Sequence, residues 1–188
     1  MFQRAATVIG TGRELGPRAL LPWRFGGGLQ EERSDVEHLV AALSWLRRAQ
    51  EVCRGRGVSA MYRLGIGWAD AYPETSGYLI ATLLAHARTS GEPDARSRAL
   101  QLGDWELAIL TPSGGVLSSP GHPQTRVFNT GQVILGLCAL AEEVGEGQGS
   151  YLQGAERAGR YLLAHQEEDG RWDRDTYCGA RTYHARVD

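Results

Sequence analysis

Two kinds of apolar pattern alternate along this chain. Over residues 35–54, Leu39, Val40, Leu43, Leu46 and Ala49 recur at helical spacing, with Ser34 or Asp35 as N-cap and an acid in the first turn. Gly55 and Gly57 end that helix. A helix over 75–89 follows, capped by Thr75 or Ser76. Its Tyr78, Leu79, Ile80, Leu83, Leu84 and Ala85 leave almost no polar face, which marks an inner helix. The next stretch, 94–110, sets Arg96, Arg98 and Glu106 against Ala99, Leu102, Trp105 and Ile109, and so predicts an amphipathic outer helix. The alternation then returns: 129–144 is nearly all apolar, and 150–166 is amphipathic.

The alternation has a period. Gly77 and Gly131 are 54 residues apart, as are Ile80 and Ile134, while Gly103 and Gly159 are 56 apart, as are Gly114 and Gly170. Outer-helix positions echo one another too: Tyr161-Leu162 with Gln166 repeats Trp45-Leu46 with Gln50, and Trp105-Glu106-Leu107 is a looser echo. Each unit is then a helical hairpin that cannot bury its own apolar face. Inner helices side by side, each backed by an outer helix, predict an all-α fold: a partial α/α toroid over 35–188. Turns leading into inner helices fall at one end, so residues 68–75, 122–130 and 177–186 gather at one mouth. Five helices and a stub do not close a ring. The expectation is a fragment, or a homo-oligomer that covers the open edge. Residues 1–34 read as an irregular arm. Val8-Ile9-Gly10-Thr11-Gly12 with Gly16 has the look of a dinucleotide-binding turn, but too little chain precedes it and Pro17 interrupts the following helix. No cofactor is expected.

Composition narrows the partners. The 188 residues are 42% hydrophobic and 22% charged, ordinary for a globular protein, and the net charge of −2 offers no basic field to nucleic acid. All 20 cationic residues are arginines, which hold carboxylates and phosphates bidentately. Genome composition is the plainer cause. Cys53, Cys138 and Cys178 are odd in number and far apart, so reduced thiols are expected. No run of about 18 apolar residues suggests a membrane span, and Met1–Arg4 does not begin a signal peptide. A cytoplasmic protein is the expectation. No two histidines have the i, i+4 spacing of a helical zinc pair, so no metal is expected.

Candidate chemistry clusters at the mouth. Asp70, Tyr72 and Glu74 share one turn, stiffened by Pro73. Glu74 reads as a general acid or base, or as a carboxylate stabilised by the following helix N-terminus. Arg126, with Asn129, opens the second inner helix and reads as an anion clamp or as a structural partner of Glu74 or Asp70. Tyr183, His184 and Arg186 reach the third equivalent position, where His184 suits proton transfer and a loose terminus is the alternative. Trp68, Tyr72 and Tyr78 supply rings that stack on sugars or attract cations. His122 reads as a loop residue, and His38, His86 and His165 as surface or satisfied core residues. Asp169-Gly170-Arg171-Trp172 reads as a lock on the hairpin turn, with Trp172 packed and Gln166 bonded to a neighbouring helix end.

These residues carry a resemblance. Arg157-Ala158, Tyr161-Leu162, Gln166, Gly170 and Trp172 match the QW motif of terpenoid cyclases, whose repeats build α/α toroids. Gly67-Trp68, Tyr72–Tyr78, Val127–Val133, Asp169–Trp172, Thr182-Tyr183 and Arg186-Val187 together resemble bacterial toroid proteins similar to prenyltransferase/squalene-oxidase-repeat proteins, often linked with polysaccharide biosynthesis. The resemblance runs from residue 60 to 188. It implies a carbohydrate-active or polysaccharide-biosynthesis protein acting on an oligosaccharide or other small ligand. Glu74, Tyr72, Asp70 and His184 would be the acid–base group. Trp68, Tyr78, Arg126, Asn129, Gln132, Tyr183 and Arg186 would face the ligand. A terpenoid cyclase-like or prenyl-binding protein is the second expectation, and a non-catalytic binding or scaffold module the third. The chain departs from the pattern in carrying Asn129 where the group usually has Asp. The Asp-x-Asp-Asp motif of terpenoid cyclases is absent, Asp173-Arg174-Asp175-Thr176 being the nearest approach.

Overall fold

Helices α1 (Asp35–Glu51), α2 (Pro73–Ser90), α3 (Pro93–Ile109), α4 (Val127–Val144) and α5 (Gly149–His165) carry the fold, with two-residue strands β1 (Tyr62–Arg63) and β2 (Gly67–Trp68) paired antiparallel between α1 and α2. The structure is a computed structural model, and it describes residues 33–119, 121–145 and 149–176. The arm, and the C-terminal Tyr183, His184 and Arg186, lie outside the described residues.

Ser34 caps α1 in a capping box with Glu37. The caps expected at Thr75 or Ser76 do not form, because α2 starts earlier. Pro73 takes the first turn, where its missing N–H costs nothing, and Tyr72 becomes the N-cap position. The Ser76 hydroxyl turns back instead. It donates to the Tyr72 carbonyl at 2.8 Å and accepts from the Val58 N–H at 2.8 Å. Thr130 does the same in the next unit, donating to the Arg126 carbonyl at 2.7 Å and accepting from the Val116 N–H at 3.0 Å. Both hydroxyls are fully buried, so each satisfies a backbone group that would otherwise be stranded.

Helices α2 and α4 are the inner pair, packed on each other; α3 backs α2 and α5 backs α4. Glycine makes the inner contact possible. A Cβ on Gly77 would lie 2.8 Å from the Gln132 carbonyl oxygen, and one on Gly136 would strike the Gly77 carbonyl oxygen. Ile80, Leu84, Leu102, Leu137, Leu140 and Tyr151 fill the space between the layers, each fully buried. By length and composition Val127–Val144 would suffice to cross a bilayer, but its Val133, Leu137 and Leu140 are buried in the core.

The seam between units is also repeated. Gly57 lies over the Trp105 ring and Gly115 over the Tyr161 ring: an added Cβ would come within 2.5 Å of the first and 2.6 Å of the second. A loop glycine of one unit thus seats on the outer-helix aromatic of the next. Turns at Gly114 (φ 94°) and Gly170 (φ 90°) close the second and third loops. In the third, Trp172 Nε1 donates to the Leu162 carbonyl at 3.1 Å. Gln166 does not reach a neighbouring helix as expected; its Nε2 donates to Gly170 O at 2.7 Å and closes its own turn.

Candidate functional site at the inner-helix N-terminal end

The first turns of α2 and α4 lie side by side, and the loops that feed them meet the ends of the outer helices. At the first loop, Trp68 of β2 packs on Trp45 of α1 (ring centroids 4.7 Å) and on Tyr62 of β1 (5.2 Å), and Trp45 and Tyr62 are 6.0 Å apart. Trp45 stays half-exposed at 51%. The hairpin exists to hold this group: cross-strand register places Tyr62 opposite Trp68. Beside it lies a hollow of about 510 Å³, lined by the Val52–Arg56 turn, by Trp68–Ala71, and by Trp105 and Ile109 of α3. It brings Arg54, Arg56 and Asp70 to an aromatic floor. Burial, and secondarily the Asp70 carboxylate, push the Cys53 thiol up from its ordinary value.

The other sequence candidates divide. Tyr72 is half-buried, and its carbonyl accepts from Ser76. Glu74 is half-buried in the first turn of α2, where the helix dipole favours negative charge. Tyr78 is 42% exposed one turn further along, and Gln132 is half-buried on α4. Arg126 spends two guanidinium nitrogens on the fold, with Nη1 donating to Thr176 O at 3.1 Å and Nη2 to Gln124 Oε1 at 2.9 Å. Asn129 is fully buried, and its amide donates to the Leu117 and Ser118 carbonyls at 3.1 and 3.3 Å. It braces the second loop rather than facing a ligand, which also explains why a neutral amide suits this position.

A polar cluster at the second loop was not foreseen. Asp175 Oδ2 accepts from the Thr125 hydroxyl at 2.5 Å and from the Tyr161 hydroxyl. His165 Nε2 lies 3.6 Å from the same oxygen, and Nδ1 is bonded to the Tyr161 carbonyl at 2.8 Å. The ring of His165 leans on that of Tyr161 at 4.0 Å. Burial, then the bond to Asp175, raise the Tyr161 phenol above its usual value. Asp175 sits at φ 57°, a left-handed conformation that Asp tolerates and that aims the carboxylate at these donors. His165, first read as a surface or satisfied core residue, is therefore one wall of a carboxylate seat. The signal lay in the repeat: Trp105 and Tyr161 are 56 residues apart, as are Ile109 and His165.

Glu106 also departs from its pattern. The helical wheel put it on the polar face of α3, yet it is fully buried, with neither carboxylate oxygen bonded among the described residues. Burial raises its carboxyl well above the ordinary value, which favours the protonated form. It does not line the hollow that its neighbours Trp105 and Ile109 line. Among the described residues no group of three His, Cys, Asp or Glu side chains is placed to hold a metal.

Comparison with solved structures places this arrangement in a known architecture. The chain is similar to the unsaturated glucuronyl hydrolase of Bacillus sp. GL1, an enzyme responsible for the degradation of glycosaminoglycan. The TM-score is 0.53 at 15% identity, over 75% of this chain and 42% of that one. The fold is an α/α toroid, and the chain spans less than half the length of that neighbour. The likeness supports the toroid in the resemblance drawn from sequence, and does not extend to its terpenoid-cyclase part. No family model matches the chain, and no curated protein matches it.

Proposed function

We propose that this chain is a carbohydrate-handling section of an α/α toroid that binds an oligosaccharide at the inner-helix N-terminal end. The Trp45–Tyr62–Trp68 group carries the reading: three rings within 6.0 Å, held by a dedicated hairpin, with Trp45 half-exposed. Aromatic faces present apolar area at low entropic cost to the C–H faces of a sugar ring. Glu74 would supply the acid or base, if a bond is broken, from the first turn of α2. The toroidal likeness to a polysaccharide-degrading enzyme supports the substrate class, at the level of fold.

Thermal melting with added ligands tests it, because a ligand that binds only the folded chain raises the melting temperature by mass action. Oligosaccharides should raise it in the wild type, and less in Trp68→Leu. Glu74→Gln should retain binding while losing any turnover. If allylic diphosphates with magnesium stabilise the protein and sugars do not, the carbohydrate reading is wrong and the prenyl-binding one replaces it.

A further inference from the structure

The repeat supplies an internal comparison between the two loops. In the second, the Asp175 carboxylate is held by Tyr161, Thr125 and His165. Subtracting 56 from the two outer-helix positions gives Trp105 and Ile109, and subtracting 54 from Thr125 gives Ala71. The β-bridges confirm the last pairing, since Leu117 pairs with Thr125 as Ser59 pairs with Ala71. All three counterparts line the hollow of about 510 Å³. The same place in the fold is therefore filled by a carboxylate in one unit and lies open in the other.

The open copy has different walls. Tyr161, Thr125 and His165 give way to Trp105, Ala71 and Ile109, so the polar donors are lost and the floor becomes apolar. Cations compensate at the rim, where Arg54 and Arg56 stand with the aromatic face of Trp68. Arg47, Arg96 and Arg98 each pair with a carboxylate elsewhere; among the described residues Arg54 and Arg56 have no ion-pair partner, and both are exposed. Arg54 is held at φ 56°, a conformation that a non-glycine residue adopts at a cost. Two guanidiniums outweigh the single Asp70 carboxylate in the hollow.

We infer that this hollow is a subsite for a carboxylate-bearing sugar, a uronate residue, with the ring against Trp68 and Trp105 and the carboxylate on Arg54 and Arg56. The carboxylate rests on the comparison of the two loops; the sugar rests on the function proposed above. The role assigned to the subsite is to select and orient, with Asp70 at its edge.

Titration of the full chain with D-glucuronate, D-glucose and N-acetyl-aspartate tests it, read by the fluorescence of the tryptophans in the hollow. Glucuronate should give a saturable change, glucose a much weaker one. The double variant Arg54→Asn, Arg56→Gln should weaken glucuronate binding about tenfold, the loss of a charge-assisted clamp. Asn is chosen at position 54 because it accepts a left-handed backbone. Circular dichroism should show the variant folding as the wild type does. No saturable binding of glucuronate, or equal binding by the double variant, overturns the subsite. A response to N-acetyl-aspartate as strong as to glucuronate overturns its assignment to a sugar. Neutral oligosaccharides that stabilise wild type and double variant alike would leave the broader carbohydrate reading standing while removing this one.

Discussion

A single carboxyl shows how much a residue's neighbours decide. In the aligned outer helices, Leu46 and Leu162 stand where α3 has Glu106. Among the described residues the oxygens of Glu106 have no partner, and an unsatisfied buried polar group costs about 1–3 kcal/mol. Glu106→Leu, which restores the repeat, should raise stability by a similar amount in urea unfolding. The proton makes the effect pH-dependent. The folded-state pKa lies above the model-peptide value of 4.5, so the folded chain holds this proton more tightly than the unfolded chain does. Stability is full below that value and is lost as pH rises through the folded-state pKa. Melting temperature should therefore fall as pH rises above about 5, and this part of the slope should vanish in Glu106→Leu. An unchanged slope would mean that other groups set it. The helical period could not reveal this burial, because a wheel assigns faces by counting polar residues, and α3 packs on α4 as well as on α2. The bonds of Asn129 are hidden for a related reason: its partners, the Leu117 and Ser118 carbonyls, belong to a loop that carries no periodic signal.

At the scale of elements, the inner and outer helices were legible from the sequence, and the loops were not. Alternation of apolar and amphipathic segments reports which helix lies inside, and their spacing reports the hairpins. A pair of hydroxyls ties loop to helix, Ser76, which the sequence offers only as a helix-cap candidate, and Thr130. Thr130→Val would strand the Val116 N–H in the core and should cost about 1–3 kcal/mol, whereas Thr130→Ser should cost much less; chemical denaturation separates the two. The inner pair depends on glycine in a different way. Gly136→Ala puts a methyl group against the Gly77 carbonyl, and overpacking of this kind costs about 1–3 kcal/mol. Since backbone rather than a mobile side chain must yield, the loss should lie toward the upper part of that range, with the midpoint of unfolding moving and little change in its slope.

For the whole molecule, burial is uneven in a way that should appear in its dynamics. The centre of α2 and α4 is closed, while the first half of α1 exposes Val36, Leu39 and Val40, the first at 68%. Amide hydrogen exchange should be slowest in the middle of α2 and α4 and fastest in the first two turns of α1. Equal protection of that half of α1 would show that another surface covers it in solution. The first turns of two inner helices are adjacent, while the third stretch expected at the mouth, 177–186, lies outside the described residues. The aromatic group and the arginines of the mouth were only partly legible. Trp68 and Asp70 stood out, but Trp45 and Trp105 read as repeat positions, and Arg54 and Arg56 as part of a glycine-bounded helix stop.

The seam glycines have one further consequence. Gly57 and Gly115 lie in loops yet are buried, each set so close to an aromatic ring of the next hairpin that an added Cβ would run into it. Any side chain there is a wedge. Driven in at both seams, it would open the angle between successive hairpins and flatten the arc they describe. The curvature of that arc is thus set, at both seams, by the smallest residue available.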